Sequence, residues 1–469
     1  MRSRQHLWLA VIGSLAVGVS CALAQDSQKL DKQYQAAVAQ FDAGHYAEAI
    51  SQLEVLLPYA PDSFEMHELL GLSYASQSQD TKAIEHLTAA VRLKPNSAEA
   101  RTNLAASLTH AGKTVLAGEQ FKKALELEPT DYDANHNLAE LYLQTGKLRE
   151  ARPLLEAAQR VHPDAYDNGY DLALTDFLTG KLAEARQMVQ SLIARKDAGE
   201  LHNLLGQIEE KDGKYVEAVN QFEIAAHMDP SDDNLFDWGS ELLLHRTYQP
   251  AIDVFDTASK RYPKSPRLLI GLGMSLYSLG KYDDAVQALL TAADLDPTDA
   301  RCYLFLSKAY DSSPTLAAGV IQRFKRYADL EPRNALAQYY YAISLWKGKR
   351  TEDTTVDLGT VESLLKRSIT LDEKLPEAHV QLGNLYADQH AWDKSIPEYL
   401  RALELNPNLP DAHYRLGQDY VHMGKKDLAQ AEFDTYQKQR AEHLAEIDKE
   451  RAEVKQFVYA EKNSSPAKP

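Results

Sequence analysis

Pro61, Pro95, Pro129 and Pro163 are each 34 residues apart, and the series goes on at Pro230, Pro263, Pro297, Pro332 and Pro407 with small slips. A second series, Gly44, Gly112, Gly146, Gly180, Gly213, Gly280 and Gly424, runs seventeen residues ahead of the proline position. Two punctuation marks locked in phase restrict the chain to a repeat array, because each mark ends an element at the same point of every unit. Proline keeps its predecessor out of helix, and glycine lets a helix end with φ above zero.

Between the marks the apolar pattern has the helical period. In residues 98–131, Leu104, Ala105 and Leu108 share one face of a first helix, Ala111-Gly112-Lys113 makes a turn, and Ala117, Phe121 and Ala124 share the facing side of a second. Small residues recur where the two helices must approach, such as Gly71, Ala105, Gly206, Gly239, Gly273 and Gly383 in first helices. Ala49, Ala83, Ala117, Ala218, Ala251 and Ala285 answer them in second helices, so ridges and grooves can close together. The expected fold is all-α, with about twelve helical hairpins between residues 30 and 440.

The order of small residue, tyrosine, Gly-x-Tyr, alanine, aromatic, alanine and proline resembles the tetratricopeptide repeat family. Tyr142, Tyr310, Tyr386 and Tyr420 take the tyrosine place, and Gly44-His45-Tyr46, Gly213-Lys214-Tyr215 and Gly280-Lys281-Tyr282 take the turn. The resemblance implies a right-handed α-solenoid with a concave groove that binds a protein or peptide. Departures occur where repeat five has Arg195-Lys196-Asp197 in place of its proline, and where repeat nine is one residue out of step. Repeat ten carries a polar insertion, Lys347 to about Thr360, expected to be an exposed loop. A C-terminal capping helix is expected over 441–460, with Leu444, Ile447 and Val454 on its apolar face, followed by a disordered tail over 461–469.

Residues 1–24 read as a signal peptide. Arg2 and Arg4 precede an apolar run ending in Ala22-Leu23-Ala24, so cleavage is expected after Ala24. A lipoprotein at Cys21 is the weaker reading, because Gly18-Val19-Ser20 lacks the usual aliphatic residue. No later stretch is apolar enough to span a membrane. The mature chain is thus expected in the periplasm or outside the cell, in a bacterium.

Lysine plus arginine number 51 against 68 acids, a net charge of −17. That balance repels phosphate backbones and argues against nucleic acid as partner. No cofactor loop, H-E-x-x-H or lysine phosphate loop occurs, and two cysteines are too few for a zinc cluster. His67, His202, His379 and His413 share one repeat phase, where stacked hairpins would keep them apart; they read as packing residues and not metal ligands. The repeats leave no room for a catalytic domain, so the chain is read as no enzyme.

The family's ligand wall, carried onto this sequence, gives an apolar stripe on successive first helices. Its residues are Tyr170 and Phe177 in repeat five, Phe236 in seven, Ile270, Met274 and Tyr277 in eight, and Tyr339 and Trp346 in ten. Aromatic anchors bury much area with few rotatable bonds to freeze. The alternative is that the stripe packs against neighbouring repeats. Lys308, Asn203 and Asn384 are too scattered for the carboxylate clamp of some family members. The functional expectation is an exported scaffold or adaptor that binds a partner segment in its groove. The alternative is a non-catalytic recruiting subunit of an envelope enzyme.

Overall fold

The computed structural model describes residues 20–312, 316–351 and 357–443. Among these residues the regular elements are all helical, and they pair into twelve hairpins. The first joins Ser20–Asp42 to Tyr46–Leu56, and the twelfth joins Pro410–His422 to a helix over 426–443. The chain divides into two compact units, one up to Leu192 and one from Ile193. The division falls beside Arg195-Lys196-Asp197, the junction that lacks its proline.

Each hairpin is built by local rules. Ser97 caps the helix Ala98–His110 by accepting from the Ala100 N–H at 3.1 Å, and Ser63 and Asp131 do the same in the repeats on either side. At the turn, the N–H of Gly112 donates to Thr109 and that of Lys113 to Leu108, which satisfies the carbonyls a helix end would orphan. Gly112 holds φ +72° there. Ser78, Arg246 and His390 adopt the same left-handed backbone in repeats two, seven and eleven. Those are places where the glycine series skips, at a cost of about 1–2 kcal/mol for a residue with a Cβ.

Inside a hairpin the small residues do what their spacing predicts. A Cβ on Gly206 would stand 2.8 Å from the Phe222 ring, and one on Gly383 would stand 2.7 Å from the Tyr399 ring. The second helix therefore lays an aromatic face on the bare backbone of the first.

The polar insertion of repeat ten differs from expectation. The helix Ala335–Thr351 continues through its first half, and Leu358–Leu371 starts with Asp357 as cap. Lys347 sits on that helix and pairs with Asp311, so the exposed-loop reading is corrected for 347–351 and 358–360, while 352–356 lie outside the described residues. No proline stops the run, and a helix carries polar residues readily on a solvent face. Residues 1–19 of the expected signal peptide 1–24, most of the expected 441–460 cap and the expected 461–469 tail lie outside the described residues.

The largest core cluster of the second unit includes Cys302, Tyr303, Phe324, Tyr327 and Tyr340. Tyr303 stacks on Tyr327 at 4.0 Å, and the Cys302 thiol donates to the Leu289 carbonyl. Burial pushes the Cys302 thiol and the Tyr303 and Tyr340 hydroxyls up to about 12. All three ionise more easily in the unfolded chain, so their contribution is intact below the unfolded values, about 9 to 10, and is lost as pH climbs towards 12. The urea midpoint of the second unit should therefore fall steadily over that range. Cys302 should stay inert to a thiol reagent at pH 8 until urea unfolds the chain. A flat midpoint between pH 9 and 11.5 would contradict this.

Candidate functional site

The second unit contains an apolar cavity of about 290 Å³ between the first helices of repeats seven, eight and nine, namely Asp232–Leu244, Pro266–Ser278 and Ala300–Ser312. Its walls include Phe236, Leu243, Ile270, Met274 and Phe305. The cavity exists because two glycines remove side chains around one aromatic ring. A Cβ on Gly239 would lie 2.7 Å from the Phe255 ring and one on Gly271 would lie 2.5 Å from it. Phe255 is thus drawn in to 0% exposure, and Phe236 packs near it at 6.1 Å between ring centroids. Gly271 adds no bulk of its own to the floor.

Two arginines border this apolar space. Arg267 is held by Asp232 at 2.7 Å and Asp233 at 2.5 Å, and its guanidinium lies 5.1 Å from the Phe236 ring centroid. Arg301 is held by Asp299 at 2.7 Å. Beside them, burial raises the Asp237 carboxyl above its ordinary value, while Asn203 donates to it at 2.8 Å. The charged groups at the mouth are thus already paired, and the lining is mostly apolar, with Ser240 as its one uncharged polar side chain.

Of the eight stripe residues, Phe236, Ile270 and Met274 meet in this cavity. Ile270 is only 4% exposed and belongs to the core cluster, whereas Leu269 and Leu272 on the same helix are half-buried. A first helix in mid-array packs on its own partner helix and on the next repeat, so both of its apolar faces are used. Tyr277 packs beside Tyr282, at 5.6 Å between rings. Tyr339 packs against two core clusters, and burial raises its hydroxyl well above the ordinary tyrosine value. Trp346 lines a different cavity further along the unit. Tyr170 and Phe177 are half-buried members of the first unit, and the cavity is lined by the second alone.

Sequence reasoning missed Phe255, Gly271, Phe305 and both arginines. Phe305 was out of reach of the stripe, because the helix Ala300–Ser312 starts 34 residues after Pro266–Ser278 and the place of Phe236 and Ile270 falls on Leu304. The scattered wall residues are engaged elsewhere: Asn203 donates to Asn234, Asn384 accepts from Tyr399, and Lys308 lies over the Phe305 ring.

The histidines in register have a structural task. His67 and His413 donate to the carbonyls of Pro61 and Pro407, six residues back, as Arg101 and Asn135 do to Pro95 and Pro129. Each also reaches nineteen residues forward, His202 to Gln221 and His379 to Glu398. The phase is a stitch between the junction and the second helix. Among the described residues, no three His, Cys, Asp or Glu side chains come together as a metal site, and no helix is long and apolar enough to cross a membrane.

Stacked hairpins with an open apolar wall and paired polar edges define a protein-interaction scaffold of the helical-repeat class. Models of the tetratricopeptide repeat match residues 34–98, 81–132 and 236–300, and 108–168 and 146–208, and a model described as TPR repeat matches 383–424. Together they cover more than half of the chain, which belongs to the tetratricopeptide repeat family. Among solved structures, it is similar to the APC/C hetero-tetramer Cut9–Hcn1, with 14% identity, TM-score 0.39, and 93% of this chain and 98% of that one covered. It is also similar to yeast Tom70, with 16% identity, TM-score 0.37, and 92% and 96% covered. A third likeness is YrrB, titled a TPR protein with an unusual peptide-binding site, with 19% identity, TM-score 0.34, and 39% and 96% covered.

Proposed function

We propose that this chain is an exported, non-catalytic adaptor, periplasmic or secreted, which holds a segment of another protein by seating an apolar side chain in the cavity of repeats seven to nine. The observation that carries the reading is that cavity, with mostly apolar walls on three successive first helices and its bordering charges already paired. An aliphatic or aromatic anchor gains about 25 cal/mol for each Å² of apolar surface it buries there, and it displaces no ion pair. Export is supported by the leader pattern of residues 1–24.

A photoreactive residue in place of Ser240, which lines the cavity, should crosslink a discrete partner in the native host. The same residue in place of Lys260, on the second helix of repeat seven, should not. Ser240→Phe fills the cavity without removing a packed group, so it should abolish association and leave the melting temperature within a few degrees. Equal crosslinking from both positions would refute the site. The host-derived chain should begin at Gln25, and an uncleaved Met1 or a lipid on Cys21 would refute the cleaved leader. Tyr339 of the expected stripe is no target for such a test, since its packing against two core clusters makes loss of folding the first consequence of truncation.

A further inference from the structure

A second cavity, of about 460 Å³, lies further along the second unit, at the first helices of repeats ten, eleven and twelve. A departure from the repeat pattern and a buried carboxyl meet at it. Five residues before the left-handed turn position, repeats two, three and eight carry Ser73, Ser107 and Ser275, repeats four, six and eleven carry Leu141, Ile208 and Leu385, and repeats seven and twelve carry the buried acids Glu241 and Asp419. Ser73 and Ser275 donate to carbonyls of their own helix, at 2.6 and 2.8 Å, and need nothing further. At the small-residue place of the second helix, where other repeats have Ala49, Ala83, Ala285 or Ala429, repeat eleven has Ser395. Its fully buried hydroxyl donates to Asp419, which is 2% exposed.

One serine does not satisfy a carboxylate. An ionised carboxyl offers about four acceptor positions, and taking it out of water is costly unless donors or a cation fill them. Burial accordingly raises the Asp419 carboxyl above its ordinary value, while Arg415 and His422, which line the same cavity, oppose that rise through their charge alone. The group lines the cavity together with Trp346 and Trp392. Trp392 stands where other second helices begin with Tyr46, Tyr215 or Tyr282, and it is fixed by His422, stacked at 4.6 Å, and by His390 at its edge. Indole faces attract cations more strongly than the other aromatic side chains do.

Resting on the reading that this chain binds other proteins, we propose that the cavity receives a basic side chain of the partner, its aliphatic stem beside Trp346 and Trp392 and its cationic head on Asp419. A net charge of −17 draws such a partner in from a distance.

The test is calorimetric titration of the mature chain with capped Ala-Lys-Ala, capped Ala-norleucine-Ala and free butylammonium. The lysine peptide should bind at least tenfold more tightly than the norleucine peptide, and Asp419→Asn should erase that preference. Trp346→Leu should weaken lysine binding severalfold; should Asp419→Asn fail to fold, this variant decides alone. Equal binding of the two peptides, a preference that survives Asp419→Asn, or no lysine binding at millimolar concentration overturns the proposal. Butylammonium binding as tightly as the lysine peptide overturns the assignment to a protein side chain. Ser240→Phe should leave the lysine preference intact, so failure here and failure of the apolar anchor are read separately.

Discussion

Phe255→Ala should remove about 3–5 kcal/mol from the stability of the second unit. The ring is fully buried, and two glycines from successive repeats, Gly239 and Gly271, have given up their side chains to admit it. Neither glycine has atoms that could collapse into the space left behind, which places the loss at the upper end of the range. Urea unfolding, with hydrogen exchange over residues 232–278, would measure it, and a loss below about 1 kcal/mol would show that the ring is not wedged. The glycines give a sharper check. Gly271→Ala alone forces a Cβ to 2.5 Å from the ring and should destabilise, whereas in the Phe255→Ala background it should be neutral or stabilising, since alanine favours helix by about 1 kcal/mol. A sign that did not reverse would mean that the two groups are not coupled.

Arg152→Ala should cost about 3 kcal/mol, this time in the first unit. Arg152 donates through Nε to Asp176 at 2.5 Å and through Nη1 to Glu156 at 2.6 Å. The Asp176 side chain is 3% exposed, so removing the guanidinium leaves a buried carboxylate with only the weaker charge of Lys181 to offset it. The arginine itself keeps some solvent contact, which places the cost at the low end of that for breaking a buried pair. The penalty should shrink on acidification, because a lone buried Asp176 relieves it by taking a proton. Arg152→Ala combined with Asp176→Ala should recover much of the loss, which denaturant titration of the three variants at pH 7 and pH 4.5 would show. A penalty that grew on acidification would contradict the account.

Much of the fold could be read before any coordinates. Pro95 and Pro129 mark where hairpins end, Gly112 marks the turn between helices, and the glycines and alanines of the two helices mark where they touch. These are local instructions, written within about 34 residues and repeated often enough to correct one another. The reading failed where a single repeat departs from its neighbours and its glycine, Gly348, is out of the phase that marks a turn. The helix Ala335–Thr351 runs on into what resembled a loop, with no proline to stop it.

The candidate site was half legible. Phe236, Ile270 and Met274 were found because helical spacing places them in one stripe, and the coordinates bring them to one cavity. The same spacing selected Tyr339, which the next repeat covers. Nor could it reveal that Asp419 and Ser395 are partners, 24 residues apart on different hairpins.

The sequence by itself determined that the chain is an array of helical hairpins, where most of them begin and turn, and which residues share a helix face. Periodicity is a property of one helix, so it carries that information completely. Only the tertiary structure decided which of the two apolar faces on each first helix stays open. That depends on the volume of side chains one repeat away, as when Phe255 fills the space left by Gly239 and Gly271, and no pattern within a helix records its neighbour's bulk.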